Sequence, residues 1–317
     1  MGMQAGAIVR ALGEKDLSEA KRIFHVAFGT FLGLPNPMEF CADRDYVRTR
    51  YIADPSAAFG AEVDGKLVGS NFVANWGSVG FFGPLTIRPD YWDRGIAKRL
   101  LEPTMEIFTK WGTKHAGLFT FAHSPKHIGL YQRFGFWPRF LTVIMSAEVR
   151  PTEKIQGCTR YSELGDSERT VCLHDAAELT NAIYDGLDVG SEIRAIAAQG
   201  LGDTVLLSDS SGLGGFALCH CGADTEAGND TCYIKFAATR PGKNAAQLFD
   251  RLLDICESFA ASRHLKRIEA GMNLARQKAY RRMLARGFRT VFQGITMHKP
   301  NQPGYSRSSL YVIDDWR

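Results

Sequence analysis

Two stretches of the chain end alike: "LYQRFGF" at residues 130–136 and "RMLARGF" at residues 282–288. Shifting the sequence by 152 residues superposes them, and the same ungapped shift aligns two further landmarks. These are Arg88-Pro89 with Arg240-Pro241, and Arg99-Leu100-Leu101 with Arg251-Leu252-Leu253. One offset that serves three landmarks indicates a duplicated domain. The Gly-Phe ending is kept in both copies, whereas Tyr131 of the first corresponds to Met283 of the second.

Length and composition are those of an ordinary globular protein. The 317 residues fit two domains of roughly 150 residues each. No apolar run approaches the roughly 18 residues of a membrane helix, so no membrane span is expected. The net charge of +4 does not indicate nucleic-acid binding, although it suits a modestly anionic small ligand. The seven cysteines lack the spacing of a disulfide framework and the first residues lack a secretory signal, which together predict a cytoplasmic protein.

The segment "CHC" at residues 219–221 is the one cysteine spacing that suggests a metal. Cys219 and Cys221 would share one face of a strand, where Cys232 could join them. The spacing matches no zinc pattern, so core cysteines are the preferred interpretation and no metal is expected.

Hydrophobic periodicity predicts one mixed order of elements, β-α-α-β-β-β-α-β-α-β, for both copies. In the first copy, a strand at 7–12 precedes a helix that opens with a capping box of Asp16 and Glu19. Asp64-Gly65 is expected to form a hairpin turn. The later elements are a helix near 94–111, a strand at 116–122, a helix at 125–134 and a closing strand at 136–149.

The second copy repeats this order more loosely. Its helices are expected near 175–187 and 191–199, and its first strands near 203–208, 213–220 and 231–238. The polar segment "RPTEKIQG", residues 150–157, is the predicted linker. The predicted fold class is therefore α/β, of the α+β kind, with a mixed and mostly antiparallel sheet flanked by helices in each of two tandem domains. The expected bounds are 1–149, 150–300 and a tail at 301–317.

The candidate chemistry concentrates in "LTIRPDYWDRGIAKRLL", residues 85–101. A helix that begins near Gly95 leaves unpaired N–H groups at its N-terminus, where the helix dipole also favours anions. Gly95 and Ala97 are small enough for a ligand to approach the backbone, while Arg94 or Lys98 adds positive charge. This pattern is typical of a pyrophosphate-binding loop.

The residues of this segment resemble the GNAT N-acetyltransferase superfamily, and the resemblance covers most of the chain as two tandem copies. The family pattern Gln/Arg-x-x-Gly-x-Gly/Ala falls on residues 92–97. Gly95 and Ala97 match it, whereas Trp92 replaces its first residue. The tandem layout and the length are also similar to those of mycothiol synthase, although no residue specifies the substrate of that enzyme.

A second family pattern, Asn-x-x-Ala-x-x-Leu-Tyr-x-x-x-Gly-Phe, falls on residues 124–136. Its last four defined positions match, at Leu130, Tyr131, Gly135 and Phe136. Its first two do not, since Ser124 stands for the asparagine and His127 for the alanine.

The resemblance implies that the first copy binds acetyl-CoA, as acyl donor, between two splayed strands. It implies cofactor contacts from the fourth strand, the following loop and helix, and one cap: Leu85, Ile87, Trp92, Asp93, Arg94, Gly95, Ile96, Ala97, Lys98 and Ser124. The backbone N–H near Leu85 would stabilise the developing oxyanion, and Tyr131 would protonate the leaving thiolate. Independently, Gly83-Pro84 predicts a break in the local strand ladder.

The sequence leaves the general base and the acceptor open. The strands that face the cleft, "SNFVANWGSVGFFG" at 70–83, contain no acid, so water or a residue outside them must take the amine proton. His123 and a C-terminal carboxylate after "YVIDDWR" are the candidates. Low-weight candidates for acceptor binding are Glu39, Asp43, Trp76 and His123.

The second copy lacks each feature of the cofactor site. The 152-residue shift turns Arg94, Gly95 and Ala97 into Ala246, Gln247 and Phe249, so a large ring stands where pyrophosphate would approach. The second domain is therefore predicted to be structural, or to form a wall of the acceptor pocket.

Three hypotheses follow from these patterns. The leading one is an N-acetyltransferase that uses acetyl-CoA and a small-molecule amine, binds neither nucleic acid nor membrane, and is a monomer or homodimer. The second is a non-catalytic acyl-CoA-binding or regulatory protein. The third is transfer of a different acyl group, or transfer to a hydroxyl.

Overall fold

The computed structural model describes residues 6–150 and 158–317, so positions 151–157 of the predicted linker lie outside the described residues. Within the described residues, the first copy has four α-helices and seven strands, in the predicted order except that the predicted fourth strand is divided into β4 and β5. They are β1 (Ile8–Ala11), α1 (Leu17–Phe31), α2 (Tyr46–Ala53), β2 (Ala58–Val63), β3 (Lys66–Trp76), β4 (Val79–Phe82), β5 (Thr86–Ile87), α3 (Ile96–Trp111), β6 (His115–Thr120), α4 (Pro125–Gln132) and β7 (Trp137–Glu148).

The second copy repeats this order and adds a short strand in the tail. Its elements are β8 (Cys158–Arg160), α5 (Asp166–Ile183), α6 (Gly190–Gln199), β9 (Gly202–Asp209), β10 (Gly212–Gly222), β11 (Gly228–Thr239), α7 (Ala245–Ser262), β12 (Arg267–Asn273), α8 (Gln277–Ala285), β13 (Arg289–Lys299) and β14 (Val312–Ile313). None of the described helices has both the length and the apolar character needed to cross a bilayer.

Most local predictions agree with these elements, and two were wrong. The hairpin at Asp64-Gly65 is confirmed, because Val63 pairs with Lys66 across it. Asp16 makes no side-chain cap on α1; its carboxylate instead accepts hydrogen bonds from Arg10 and from the Gly13 N–H. Helix α5 begins at Asp166, well before residue 175, because its polar first turns hide the periodicity that locates a helix.

The two copies share one continuous path of strands. Its order is β1-β2-β3-β4-β6-β13-β7-β12-β11-β10-β9-β8, with β5 paired to β3 and β14 to β11. The closing strands are exchanged: β13 lies between β6 and β7, and β7 lies between β13 and β12. Each copy's sheet is therefore completed by the last strand of the other copy, which joins the two through backbone hydrogen bonds.

Each copy contains one pair of parallel strands that separate after a few residues. In the first copy, β4 and β6 pair only over Val79–Phe81 and His115–Gly117. In the second, β11 and β12 pair only over Thr231–Ile234 and Arg267–Ala270. Beyond these residues the strands diverge and open a cleft in the sheet.

The tail of the chain fills the cleft of the second copy. In β14, Ile313 pairs with Ala237 and Val312 with Ala238 of β11, while Asp314 bridges to Met272 of β12. Gly271 makes room for this insertion, since a Cβ atom at Gly271 would lie 1.9 Å from an oxygen of Asp315. The inserted segment therefore takes the place of a strand between β11 and β12.

A buried cluster holds the tail in this cleft. The fully buried guanidinium of Arg276 donates to Asp314 Oδ1 at 2.8 Å and to the Val312 carbonyl at 3.2 Å, and it stacks on Tyr305. The Tyr305 hydroxyl donates to the second oxygen of Asp314 at 2.7 Å and accepts from the Trp316 indole N–H at 3.1 Å. Because a charged guanidinium and a carboxylate are both enclosed, removing either leaves the other unpaired.

The substitution Arg276→Met should therefore destabilise the whole protein. Breaking a buried ion pair from one side typically costs about 3–5 kcal/mol, because the remaining charge has no partner. Lys114→Met is the matched control, since Lys114 pairs with Asp185 on the surface, with side chains 57% and 82% exposed. Urea unfolding measures both variants. Equal midpoints for Arg276→Met and Lys114→Met would show that this pair does not hold the tail.

Candidate active site

The ladder between β3 and the fourth strand of the first copy is interrupted at Gly83–Leu85, as the sequence predicts. Val73 pairs with Phe82 and Ser70 pairs with Thr86. Three residues thus lie between the paired Phe82 and Thr86, but only two lie between their partners, so the fourth strand bulges. Leu85 lies in this bulge, and its backbone is outside the ladder at the mouth of the cleft.

The bulge is held in place by Arg50 of the first copy, which is in turn paired with a carboxylate of the second copy. Arg50 Nη1 donates to the Gly83 carbonyl at 2.6 Å, and the same guanidinium donates through Nε to Glu226 at 3.0 Å. Glu226 is fully buried and also accepts from Lys235 at 3.0 Å. The position of the bulge therefore depends on a charge network that crosses between the two copies.

Helix α3 begins in the geometry expected of an anion-binding loop. Its N-cap, Gly95, has a φ of +75° and makes no side-chain cap. The N–H groups of Ile96, Ala97 and Lys98 lack partners within the helix because of their position in its first turn. A Cβ atom at Gly95 would meet nothing within 4 Å, so the approach to these groups is open.

Trp92, which departs from the family pattern, stabilises this loop. Its indole N–H donates to the Ile87 carbonyl at 2.7 Å, and Lys126 lies over its ring at 5.9 Å. Lys126 also pairs with Asp93 at 2.5 Å, which connects the loop to α4. The tryptophan thus takes a structural part in the loop and leaves the α3 N-terminus free.

The loop and the bulge border a groove of about 680 Å³. Among the predicted cofactor contacts, the residues that line it are Leu85, Ile87, Trp92, Asp93, Gly95, Ile96, Ala97 and Lys98. Two others do not line it. Arg94 stacks on Tyr91 at 4.7 Å, and Ser124 caps α4 by accepting from the His127 N–H at 3.4 Å.

A second cavity of about 370 Å³ adjoins this groove. Leu85, Tyr131, His127 and Phe28 line both spaces and therefore mark the junction. Aromatic side chains make up nearly half of the residues that line the cavity: Phe24, Phe28, Phe40, Tyr46, Phe82, Phe119, Phe121, Tyr131, Phe292 and Trp316. Its charged side chains are Arg44, Glu269 and Arg317, and the imidazole of His127 also lines it.

Tyr131 has the protonation state that a proton donor needs. The residue is 7% exposed and contacts Phe82 edge to face at 5.7 Å. Burial raises the pKa of Tyr131 well above its ordinary value, and the hydrogen bond with Thr120 opposes only part of that increase. The phenol therefore keeps its proton at physiological pH.

His127 is a residue of the junction that the sequence analysis did not select. Burial lowers its pKa below the ordinary value, and the charges of Lys126 and His123 lower it further. Its Nδ1 is buried and finds no hydrogen-bond partner among the described residues. The imidazole is thus neutral at pH 7 with a free nitrogen. Its departure from the alanine of the family pattern was the signal that could have identified it.

Four sequence-predicted acceptor residues do not line the cavity. Glu39 is exposed and bonds to Asn36, while Asp43 accepts from the Asn229 N–H at 2.6 Å in the second copy. Trp76 is in the core between the copies, where it donates to Glu192, and His123 is exposed in the turn after β6. Their neighbours Phe40, Cys41 and Arg44 line the cavity instead.

The far wall of the cavity comes from the second copy and the tail. Trp316 packs against Gly117, where a Cβ atom would lie 2.1 Å from the indole ring. Arg317 follows it into the cavity wall, and its main-chain oxygen accepts a hydrogen bond from Arg50. The tail, whose C-terminal carboxylate the sequence offers as a candidate base, thus lies in the cavity wall, where an indole and a guanidinium line the cavity.

Bulky side chains occupy the corresponding region of the second copy. Helix α7 begins at Ala245, and Phe249 and Met283, which replace Ala97 and Tyr131, are both fully buried in the core. Tyr311 of the tail packs against Phe249 with ring centres 5.4 Å apart. Within residues 6–150 and 158–317, no group of three His, Cys, Asp or Glu side chains is arranged to hold a metal ion.

Known proteins match the chain in fold, and one family matches part of its sequence. Residues 26–136 match the profile described as the acetyltransferase (GNAT) family. None of the curated proteins matches the sequence.

Solved structures with the same fold include a supposed acetyltransferase from Pyrococcus horikoshii, with a TM-score of 0.70, 16% identity and coverage of 98% of this chain and 95% of that one. A GCN5-related N-acetyltransferase from Sphaerobacter thermophilus gives a TM-score of 0.58 and 16% identity, over 94% of this chain and 96% of that one. A tandem GNAT protein from the clavulanic acid biosynthesis pathway gives 0.55 and 11%, over 92% and 97%.

The profile covers the groove, the junction and α4, and the structural likeness covers both copies. Residues 26–136 are therefore similar in sequence to the acetyltransferase (GNAT) family, and the chain as a whole has the fold of a tandem GNAT protein.

Proposed function

We propose that the protein is an acetyl-CoA-dependent N-acetyltransferase that acetylates a primary amine of a small molecule, with its active site in the first copy. The observation that carries this proposal is the junction: Leu85, His127 and Tyr131 line both the groove and the cavity. A donor in the groove and an acceptor in the cavity would meet there.

The groove fits acetyl-CoA, which supplies an activated acetyl group as a thioester. The N–H groups of Ile96, Ala97 and Lys98 are suited to its pyrophosphate, and the open space at Gly95 admits it. The bulge at Leu85 frees a backbone edge for the pantetheine amides, because the ladder to β3 is interrupted there. The same bulge offers the Leu85 N–H to the charge that develops on the carbonyl oxygen.

Proton transfer is assigned to two residues of the junction. Tyr131, protonated because burial raises its pKa, donates a proton to the departing thiolate. His127, neutral because burial lowers its pKa, accepts the proton of the amine nitrogen after attack, when that nitrogen is far more acidic than in the free ammonium ion. Each residue thus begins the reaction in the state that its role requires.

The small volume of the proposed acceptor cavity favours a small molecule over a protein substrate. Its volume of about 370 Å³ is at the lower end of the range for small-molecule sites. The second copy and the tail close the side of the cavity that faces away from α1, through Glu269, Phe292, Trp316 and Arg317. A peptide backbone would have to displace these groups.

Binding of acetyl-CoA is tested with Gly95→Trp and its matched control Gly112→Trp. Both glycines cap α3 with positive φ, +75° and +66°, and a Cβ atom meets nothing within 4 Å at either. The backbone strain is therefore similar, but only the indole introduced at position 95 would fill the groove. Acetyl-CoA should raise the melting temperature of wild type and of Gly112→Trp, and should not raise that of Gly95→Trp.

Gln247→Trp extends this experiment to the second copy. Gln247 is exposed at the start of α7 and corresponds to Gly95 under the 152-residue shift. Acetyl-CoA should stabilise this variant normally. Loss of the thermal shift in Gln247→Trp but not in Gly95→Trp would show that the proposal assigns the cofactor to the wrong copy.

Tyr131→Phe should lower kcat by about 10²–10⁴-fold, the usual contribution of a positioned acid, because the thiolate loses its proton donor. The thermal shift with acetyl-CoA should stay as in wild type. Tyr280→Phe, on the corresponding helix α8, is the control and should not change kcat. Unchanged turnover in Tyr131→Phe would contradict the assignment. Binding of acetyl-CoA without release of free thiol for any amine in a broad panel would favour the non-catalytic hypothesis.

His127→Ala should lower kcat and change its pH dependence. In wild type, kcat should be constant above neutral pH and fall as the pH drops through the lowered pKa of His127, because protonated imidazole cannot accept a proton. The variant should lose this acidic limb. His123→Ala removes the exposed neighbouring histidine and should keep both the wild-type kcat and the acidic limb of the pH profile. If kcat and the acidic limb are instead lost only in His123→Ala, His123 is the base.

A further inference from the structure

We infer that the acceptor is a bifunctional molecule: an amine separated by an apolar segment from an anionic group such as a carboxylate, which binds to Arg44 and Arg317. This inference rests on the proposed function and specifies the acceptor class of the same site. It follows from the charges of the cavity, from an unpaired donor, and from the arrangement of its rings.

The cavity carries more positive than negative charge. Arg44 donates to Glu269 through two nitrogens, at 3.1 and 3.2 Å, and Arg317 Nη1 lies 2.8 Å from Glu269 Oε1. Burial alone would raise the pKa of Glu269, but the charges of Arg317 and Arg44 lower it below its ordinary value. The carboxylate is therefore ionised and already shared between two guanidinium groups, so it is a poor partner for a further cation.

Asp315 is the other carboxylate beside this group. Its Oδ2 lies 3.2 Å from Arg317 Nε, and burial raises the pKa of Asp315 above its ordinary value. Asp315 is fully buried against Gly271 and does not line the cavity. A ligand in the cavity thus meets two guanidinium groups and one carboxylate.

Arg317 also has hydrogen-bonding capacity that the protein does not use. Its guanidinium is stacked 4.1 Å from the centre of the Tyr233 ring, and its Nη2 is buried with no hydrogen-bond acceptor among the described residues. Buried donors in native proteins nearly always have a partner. Arg317 also lines the cavity, so the site holds a guanidinium whose donors the protein does not fully use.

A row of rings separates the arginines from the junction. It runs from His127 to Phe121 at 6.1 Å, then to Phe28 at 5.8 Å, Phe24 at 5.3 Å and Tyr46 at 5.5 Å. Arg44 Nη1 reaches the Tyr46 hydroxyl at 3.5 Å at the far end of this row. An acceptor with its amine at His127 and its anion at Arg44 and Arg317 would therefore lie against these rings between its two ends, which favours an apolar segment between the amine and the anion.

The test compares two molecules that differ only in the anion: 4-(aminomethyl)benzoate and its neutral amide, 4-(aminomethyl)benzamide. Binding of each to the protein is measured by calorimetry, and turnover with acetyl-CoA is measured by thiol release. The benzoate should bind at least about tenfold more tightly and have a correspondingly higher kcat/KM, since charge-assisted bonds to arginine exceed those of a neutral amide. Equal or weaker binding of the benzoate overturns the inference.

Substitutions of the two arginines test whether they cause the preference for the benzoate. Arg44→Gln and Arg317→Gln should each reduce the preference for the benzoate while leaving the binding of the amide nearly unchanged. Arg48→Gln, an exposed arginine on the same helix as the end of the ring row, should keep the full preference. Retention of the preference in both Arg44→Gln and Arg317→Gln would contradict the assignment. The thermal shift with acetyl-CoA verifies that each variant is folded.

The outcomes separate this inference from the proposed function. If the benzoate binds preferentially but neither molecule is acetylated, the anion site stands and the transferase proposal fails for this acceptor class. If both are acetylated without preference, the transferase proposal stands and the anion site is wrong.

Discussion

Two parallel strands that diverge within a sheet leave backbone N–H and C=O groups without partners, and this constraint determines how both copies are completed. Buried backbone groups must be paired. In the second copy, β14 pairs with β11 and the adjacent Asp314 bridges to β12. The tail of the chain therefore supplies partners for backbone groups of the cleft. In the first copy, the break at Gly83–Leu85 leaves the corresponding edge facing an open groove. The same opening is thus closed by protein in one copy and left for a ligand in the other.

The exchange of β7 and β13 lets the second copy, whose cleft is filled, support the open site of the first copy. Because each closing strand belongs to the other copy's sheet, the two copies cannot separate without breaking two ladders. The second copy is then a rigid wall for the first, and it contributes Glu269 from β12 and Phe292 from β13 to the acceptor cavity. The charge network of Arg50, Glu226 and Lys235 crosses the same boundary and holds the Gly83 bulge. A domain without a cofactor groove therefore still positions the groove of its neighbour.

Local sequence patterns were sufficient for the parts of the site that are built from neighbouring residues. The loop at residues 88–95, the α3 N-terminus, the bulge after Gly83 and the position of Tyr131 all follow from short-range chemistry of glycine, proline and helix ends. The acceptor side was less predictable, because it depends on contacts between residues far apart in sequence. Trp76 is an example: a tryptophan on a strand facing the cleft fits a substrate contact, yet the second copy covers it and its indole bonds to Glu192. The offset that revealed the duplication carries no information about which strands exchange.

One segment of the tail both fills the cleft of the second copy and shapes the cavity of the first. Tyr311 packs on Phe249, Val312 and Ile313 complete the ladder, and Asp314 pairs with Arg276, so residues 311–314 occupy the second cleft. The chain then continues past Gly271 and Gly117, whose missing side chains admit Asp315 and Trp316. It thereby brings Trp316 and Arg317 to the first cavity. A second copy that still bound a ligand between β11 and β12 would displace this segment, and the first copy would lose an aromatic wall and a guanidinium. The filled cleft of the second copy and the wall of the first cavity are therefore two consequences of the same insertion.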